Sequence, residues 1–336
     1  MHFFLRREIE TNAEDISSIA KRYKTKGQKL RRSYKENISE FSQFSKKHEK
    51  MFKEEAFVFP ENIGPNMGID ETGLMNGELY TIFYNKDRKG KKGSLAAIIK
   101  GVKASTIVGA IEKYAGVSQL FSIKEISLDL SMGMDWIVRE VAPNAMKTVD
   151  RFHAEQLITE AVQQVRIKYR WEAIEKENKL LLQKGDKEVH RLKTYSNGDT
   201  ERQLLARSRG LLFKRKSQWT EQQKKRSEIL FEEFPLIKKA YDLYMEFKET
   251  FRMSRLQAEF HLKAWIEKVG RSSFAELKTA ARSIKSRSGE ILNYLENRTT
   301  NAAVENFNRK LKSFLSRVRG VNDNDMFFYR LIQIYA

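Results

Sequence analysis

Between residues 66 and 100 apolar and polar positions alternate with a period of two. Met67 and Ile69 alternate with Gly68 and Asp70, residues 79–84 are rich in Tyr, Thr, Ile and Phe, and residues 95–99 follow the turn Asp87-Arg88-Lys89-Gly90. This pattern predicts a three-strand antiparallel meander. Ile107, Val108, Ile111 and Tyr114 then recur at three- and four-residue steps, as on one face of a helix. Alternation returns at 124–130, where Ile126, Leu128 and Leu130 are interleaved with Ser127 and Asp129. A helix around 136–141 and a short strand at 145–149 complete a β-β-β-α-β-α-β order, which is an α/β unit with a mixed five-stranded sheet.

The flanking sequence follows a helical period. Ile16, Ile19 and Ala20, the turn Lys24-Thr25-Lys26-Gly27, and Leu30, Tyr34 and Ile38 predict two short helices. They read either as a helix-turn-helix remnant or as a plain helical hairpin with solvated lysines. After Arg151 the chain turns almost wholly helical, with Leu204, Leu205, Leu211 and Leu212, and later Leu236, Ile237, Tyr241 and Tyr244, at helical spacing. The expected organisation is an N-terminal helical region (1–60), the first part of an α/β core (61–164), a large inserted all-helical domain (165–288) and a C-terminal core segment (289–336). No period of 20 to 50 residues recurs, which argues against a solenoid.

Composition narrows the function. The 336 residues carry 63 Lys plus Arg against 44 Asp plus Glu, a net charge of +19 that points to a polyanionic partner, nucleic acid first. The absence of cysteine excludes disulfide scaffolds, thiol catalysis, zinc fingers and iron–sulfur clusters, so any metal would be held by oxygen or imidazole. No segment approaches the roughly 20 apolar residues of a membrane span, and the N-terminal stretch is too brief for a signal peptide, so a cytoplasmic protein is expected.

Candidate chemistry begins with Asp70 and Asp129. A helix-linked crossover would bring their strands side by side in parallel, about 4.8 Å apart, with both acids at equivalent ends. Either acid alone reads as a strand-end cap. Two so close repel each other, and a divalent cation is the natural relief. Residues 301–319 are strongly amphipathic, with Val304, Phe307, Leu311, Phe314 and Val318 on one stripe and Glu305, Asn308, Arg309 and Lys312 nearly opposite. Glu305 is there either a third acid or an exposed partner of Arg309 one turn on. Arg309, Lys312, Arg317 and Arg319 continue this helix as phosphate-binding candidates. Arg207, Arg209, Lys214, Arg215, Lys216 and Trp219 set cations beside an aromatic, as for phosphate contact and base stacking, or form solvated helix faces.

These residues carry a resemblance. Asp70 in GIDE, Asp129 in SLDLS, the run Asp150-Arg151-Phe152-His153, and TTNAAVENFNRKLK, together with SNGDTERQLLARSR and RGVNDNDMFFYRL, closely resemble DDE transposases of bacterial insertion sequences, in particular the ISL-three family. The similarity runs from about residue 59 to the C-terminus, with several separated motifs in the right order. It implies an RNase H-like core interrupted by a helical insertion, and two divalent ions, magnesium or manganese, that activate water or a DNA 3′-hydroxyl for attack on a phosphodiester. Asp70, Asp129 and Glu305 match the catalytic, metal-binding triad. Asp150 and His153 match a D-x-x-H signature with a supporting role near scissile DNA, although His153 taken alone reads as a helix-start residue. Asn301 stands one turn before Glu305 and caps the helix or supports the site.

The resemblance further implies DNA as partner, both element ends and target, and a homo-oligomer on that DNA. Relatives carry a larger DNA-binding region before the core than the 60 residues here, so weak end selectivity is expected, with a separately encoded N-terminal DNA-binding protein as a further partner. Two other functions share these features. One is a non-catalytic DNA-binding remnant, and the other an RNase H-like nuclease without strand transfer.

Overall fold

A computed structural model describes residues 2–74, 77–183, 193–297, 301–317 and 323–336. The described chain divides into two compact units, residues 1–150 with 297–336, and residues 151–296.

The first unit is built on a mixed sheet of β1 (Ala56–Val58), β2 (Asn66–Gly73), β3 (Leu79–Asn85), β4 (Leu95–Lys100), β5 (Glu125–Leu128) and β6 (Met146–Val149), in the order β1-β4-β3-β2-β5-β6. Strands β1 to β4 pair antiparallel, while β2–β5 and β5–β6 are parallel. The sheet therefore has six strands rather than the expected five. The additional strand, Ala-Phe-Val, is three residues long and buried throughout, so it offers no alternation to read. The fourth expected strand ends at Leu128, two residues early. Asp129 leaves the ladder and accepts the Ser131 N–H at 2.7 Å, and Ser131 Oγ accepts the Met134 N–H at 3.1 Å, which starts the helix Met132–Val141.

Alternation along the strands divides the core into two layers. Met67, Ile69, Phe83, Ile126 and Leu128 pack with Ile107, Ile111, Ile137 and Val138 from the helices Ala104–Tyr114 and Met132–Val141. On the opposite face Phe57, Tyr80, Ile82 and Tyr84 pack with Phe307, Leu311 and Phe314 of the helix Asn301–Arg317 and with Phe327, Phe328 and Leu331 of the helix Asn324–Tyr335. Strands β1, β3 and β4 thus present apolar residues to both helical layers, whereas β2 and β5 do so on one face and carry Gly68, Asp70, Glu125 and Ser127 on the other.

The N-terminal helices belong to this unit. Ile16, Ile19, Ala20, Leu30, Tyr34 and Ile38, the residues marked by the helical period, bury against Met326 and Tyr329. The Arg330 guanidinium is almost fully enclosed and donates to the carbonyls of Ile9, Asn12 and Glu14, tying the N-terminal segment to the last helix. Of the cations on the second predicted helix, Arg31 pairs with Asp15, Arg32 with Glu36 and Lys35 with Asp323.

The second unit is helical, led by the 33-residue helix Arg151–Gln183, and the range expected for the insertion lies within it. Its core is aromatic and aliphatic, with Trp265 fully buried and donating its indole N–H to the Leu243 carbonyl at 2.8 Å. Among the described residues no helix is long and apolar enough to cross a membrane.

Candidate active site

Register decides which acids meet. Gly68 of β2 stands opposite Ser127 of β5, and Ser127 stands opposite Thr148 of β6. Two residues further along each chain come Asp70, Asp129 and Asp150, so the three acids lie in step just past the parallel pairing, Asp70 within β2, which continues to Gly73 against β3, and Asp129 and Asp150 immediately after β5 and β6. The ladder extends to this point, since the Asp150 N–H donates to the Leu128 carbonyl at 3.0 Å. Residues directly opposite on paired strands point to one face. That face belongs to Tyr84 and the C-terminal helices, because Ile69, Ile126 and Leu128 turn to the other layer. Asp70 and Asp129 are half-buried and Asp150 is buried, with 5% of its surface exposed.

One oxygen of each of the first two acids is already engaged: Asp70 Oδ1 accepts the Glu71 N–H at 2.8 Å and Asp129 Oδ1 accepts the Ser131 N–H at 2.7 Å. These bonds orient the carboxylates from the backbone. Glu71 joins the same electrostatic neighbourhood. Burial holds its carboxyl above the usual range, and Asp129 and Asp70 push it further in that direction. Two carboxylates about 5 Å apart repel by roughly 3 kcal/mol at an effective dielectric near 20, so such a group favours a cation among its members.

Beneath the acids lies a row of hydroxyls. Tyr84, Ser127 and Thr148 occupy the register positions of Gly68 and its neighbours, and all three are buried with no hydrogen-bond partner among the described residues. Burial raises the Tyr84 phenol well above its ordinary value. Ser127 lies close enough to offset part of that shift, though neither hydroxyl completes a bond of good geometry, and Asp70 and Asp150 add to the rise. The phenol therefore keeps its proton and stays a donor. Only glycine fits at 68: a Cβ there would lie 2.1 Å from the Tyr84 hydroxyl oxygen and 2.2 Å from Cζ. The missing side chain lets the ring lie over β2, just behind Asp70.

The helix Asn301–Arg317 covers this same face. Phe307 packs its ring against Tyr84 with centroids 5.5 Å apart, and Lys310 Nζ donates to the Gly90 carbonyl at 2.9 Å, anchoring the helix to the β3–β4 turn. Glu305 precedes Phe307 by two residues on this helix. The side chains of Asn301, Glu305 and Arg317, and residue Arg319 altogether, lie outside the described residues. Arg309 and Lys312 are exposed, consistent with the polar face of the helical period. Among the described residues no three acidic or histidine side chains close on a single point. The donor set nonetheless suits magnesium or manganese, which prefer hard carboxylate oxygens.

The remaining candidates lie in the helical unit. His153 is half-buried in the first turn of the helix Arg151–Gln183. Trp219 is not a free platform for a base: it is 9% exposed, packs on Tyr241 and Phe231, and donates its indole N–H to the Leu211 carbonyl at 2.9 Å. Arg207 pairs with Asp199, which also takes Arg226, and Arg215 pairs with Glu249, so these two cations serve the fold. Arg209, Lys214 and Lys216 are exposed.

Glu71, Tyr84, Ser127 and Thr148 are site residues that strand periodicity alone does not single out. A signal was present for the row: a small residue stands two positions before each acid, in Gly68/Asp70, Ser127/Asp129 and Thr148/Asp150. Acids set in step just past the pairing of adjacent parallel strands, in a strongly basic chain, fit the class of enzymes that work on nucleic-acid phosphodiesters. A sequence model of the ISL-three DDE type, described as a transposase, matches residues 67–331. The chain belongs to this transposase family, whose substrate is DNA. Among curated proteins no sequence matches it.

Proposed function

We propose that this chain is a metal-dependent DDE transposase that cleaves the ends of its element and joins them to a target. The observation that carries this reading is the in-step register of Asp70 and Asp129, each two residues past the last β2–β5 pair Gly68–Ser127, on the sheet face covered by the helix that carries Glu305. Three antiparallel strands followed by two helix-linked parallel strands support an RNase H-like core. Asp70, Asp129 and Glu305 would hold two magnesium or manganese ions, with Asp150 and His153 in support and Asn301 at the start of the Glu305 helix. Bound there, the ions would stabilise the entering and leaving oxygens of an in-line displacement at phosphorus.

The protein's own part is placement. Backbone N–H groups of Glu71 and Ser131 each hold one oxygen of Asp70 and Asp129 and so fix the orientation of the two carboxylates. The buried Tyr84, Ser127 and Thr148 hydroxyls, which have no partner among the described residues, would form a polar floor able to donate to water behind the reacting phosphate. Arg309 and Lys312, with Arg317 and Arg319 further along the chain, contribute cations for flanking phosphates. The family reading also has the chain act as a homo-oligomer on DNA, with end selectivity aided by a separately encoded partner.

The test uses a labelled element end and a target plasmid. Asp70→Asn, Asp129→Asn and Glu305→Gln should each abolish magnesium-dependent cleavage and joining while duplex binding persists. Calcium should support binding without turnover, because its looser coordination does not meet the demands of the reaction. Cleavage retained by the Asp129→Asn protein would refute the mechanism, and cleavage without joined product in the parent protein would reduce the activity to that of a nuclease.

A further inference from the structure

The helical unit gathers like charge of the opposite sign. Arg166 and Arg170 lie one turn apart on the helix Arg151–Gln183, and Arg209 follows the helix Glu201–Arg207. Arg166 is only 4% exposed, and its acceptors are neutral: Gln163 Oε1 at 2.7 Å and the Leu205 carbonyl at 2.9 Å. The Arg170 Nε is buried with no acceptor among the described residues. No carboxylate pairs with any of the three among the described residues. Burial, reinforced by the charges of Arg170 and Arg209, pushes Arg166 down to about 10. Other half-buried cations in this unit do have acids: Arg226 has Asp199, Arg215 has Glu249 and Lys248 has Glu155.

The three arginines line a groove of about 1010 Å³ together with Phe152, Trp171 and Phe213. These aromatics are 57%, 61% and 38% exposed, which is unusual for side chains of this size, and the Arg209 guanidinium lies 6.0 Å from the Phe213 ring centre. Two acids also border the groove and both are engaged: Glu155 takes Arg151 and Lys248, and Glu160 takes the Gln156 amide. Guanidiniums bind phosphate oxygens through paired N–H groups, and open aromatic faces stack on bases. Duplex bases are already stacked and offer no free face, whereas an unpaired strand offers bases and phosphates together.

We propose that this groove binds single-stranded DNA, with phosphates on Arg166, Arg170 and Arg209 and an unpaired base on Trp171. The proposal deepens the transposase reading and rests on it, because cleaving an element end exposes unpaired strand.

The experiment compares a fluorescein-labelled oligo(dT) of about a dozen residues with a blunt duplex of about twenty base pairs, by anisotropy against the full chain at near-physiological salt. Trp171→Ala and the double variant Arg170→Ala/Arg209→Ala should each weaken oligo(dT) binding by about tenfold or more, the scale on which removing one base stack is felt. Duplex affinity should stay within about twofold and Trp171→Phe should retain most oligo(dT) binding, as expected of stacking. Unchanged oligo(dT) affinity in both variants, or an equal loss on duplex and single strand, would overturn the groove assignment. Metal-dependent end cleavage is scored in parallel on the parent chain. Cleavage with unaltered oligo(dT) binding in the variants removes the groove and leaves the transposase. No cleavage with variant-sensitive oligo(dT) binding removes the transposase reading and leaves the groove.

Discussion

The parallel strands β2 and β5 treat acidic residues differently at their two ends. At the start, Glu125 lies beside Asn66 in the ladder and is buried together with Lys86, whose Nζ donates to it at 2.7 Å. Just past the other end of that parallel pairing lie Asp70, Asp129 and Asp150 in step, with Glu71 beside them, whose carboxyl is held above its usual range by burial and by Asp129 and Asp70. The first arrangement sets an acid against a buried ammonium, and the second sets several acids near one another. A buried acid with a cation partner is a part of the fold, whereas acids gathered at strand ends are poised for a ligand that brings positive charge. The helical unit repeats the contrast with signs reversed, between Asp199 shared by Arg207 and Arg226 and the arginine cluster at 166, 170 and 209.

The sharpest way to break this comparison is to neutralise one acid at each end. Asp129→Asn should lower cleavage by more than about a thousandfold, the scale on which losing one member of a catalytic set is felt. Its urea midpoint should hold or rise, since a repulsion disappears while the amide oxygen still accepts the Ser131 N–H. Glu125→Gln should do the reverse, costing about 3–5 kcal/mol of stability by leaving Lys86 buried without its counter-charge, with cleavage per folded molecule preserved. If the two variants exchange these phenotypes, the assignment of the ends is wrong.

A smaller effect sharpens the role of the hydroxyl row. Gly68→Ala forces its new methyl into the Tyr84 ring, and overpacking of this kind costs about 1–3 kcal/mol. Because the displaced ring lies beside Asp70, cleavage should fall by more than the loss of folded protein explains, as measured by activity normalised to folded fraction. Parallel losses would show that Tyr84 only packs.

The smallest effect concerns the exposed cations of the Glu305 helix. Replacing Arg309 and Lys312 together by Ala should reduce the slope of log affinity against log salt by about 2 on duplex DNA, near 0.9 for each phosphate no longer neutralised. A slope within error of the parent would place both residues away from the duplex path.

Local chemistry was legible in the sequence where it follows a period. The pattern of apolar positions located five of the six strands and put Asp70 on β2 and Asp129 beside β5, although β2 runs on past Asp70 to Gly73. The three- and four-residue spacing of Phe307, Leu311 and Phe314 foretold the buried face of its helix. A period of two or 3.6 states which side chains share a face, and that information is complete within one element. Partnership across the fold is encoded by no period. Lys86 and Glu125 are 39 positions apart, and Tyr84 meets Gly68 only because a hairpin sets them opposite each other. Trp219 among its cations read as an open stacking surface, yet the packed unit offers its indole N–H the Leu211 carbonyl and its rings two aromatic neighbours, so it is buried. The sequence by itself determined which residues could carry charge to a strand end or a helix face. The tertiary structure decided which charges find partners and which are left to gather, because neutralisation depends on distances set only when remote segments pack together.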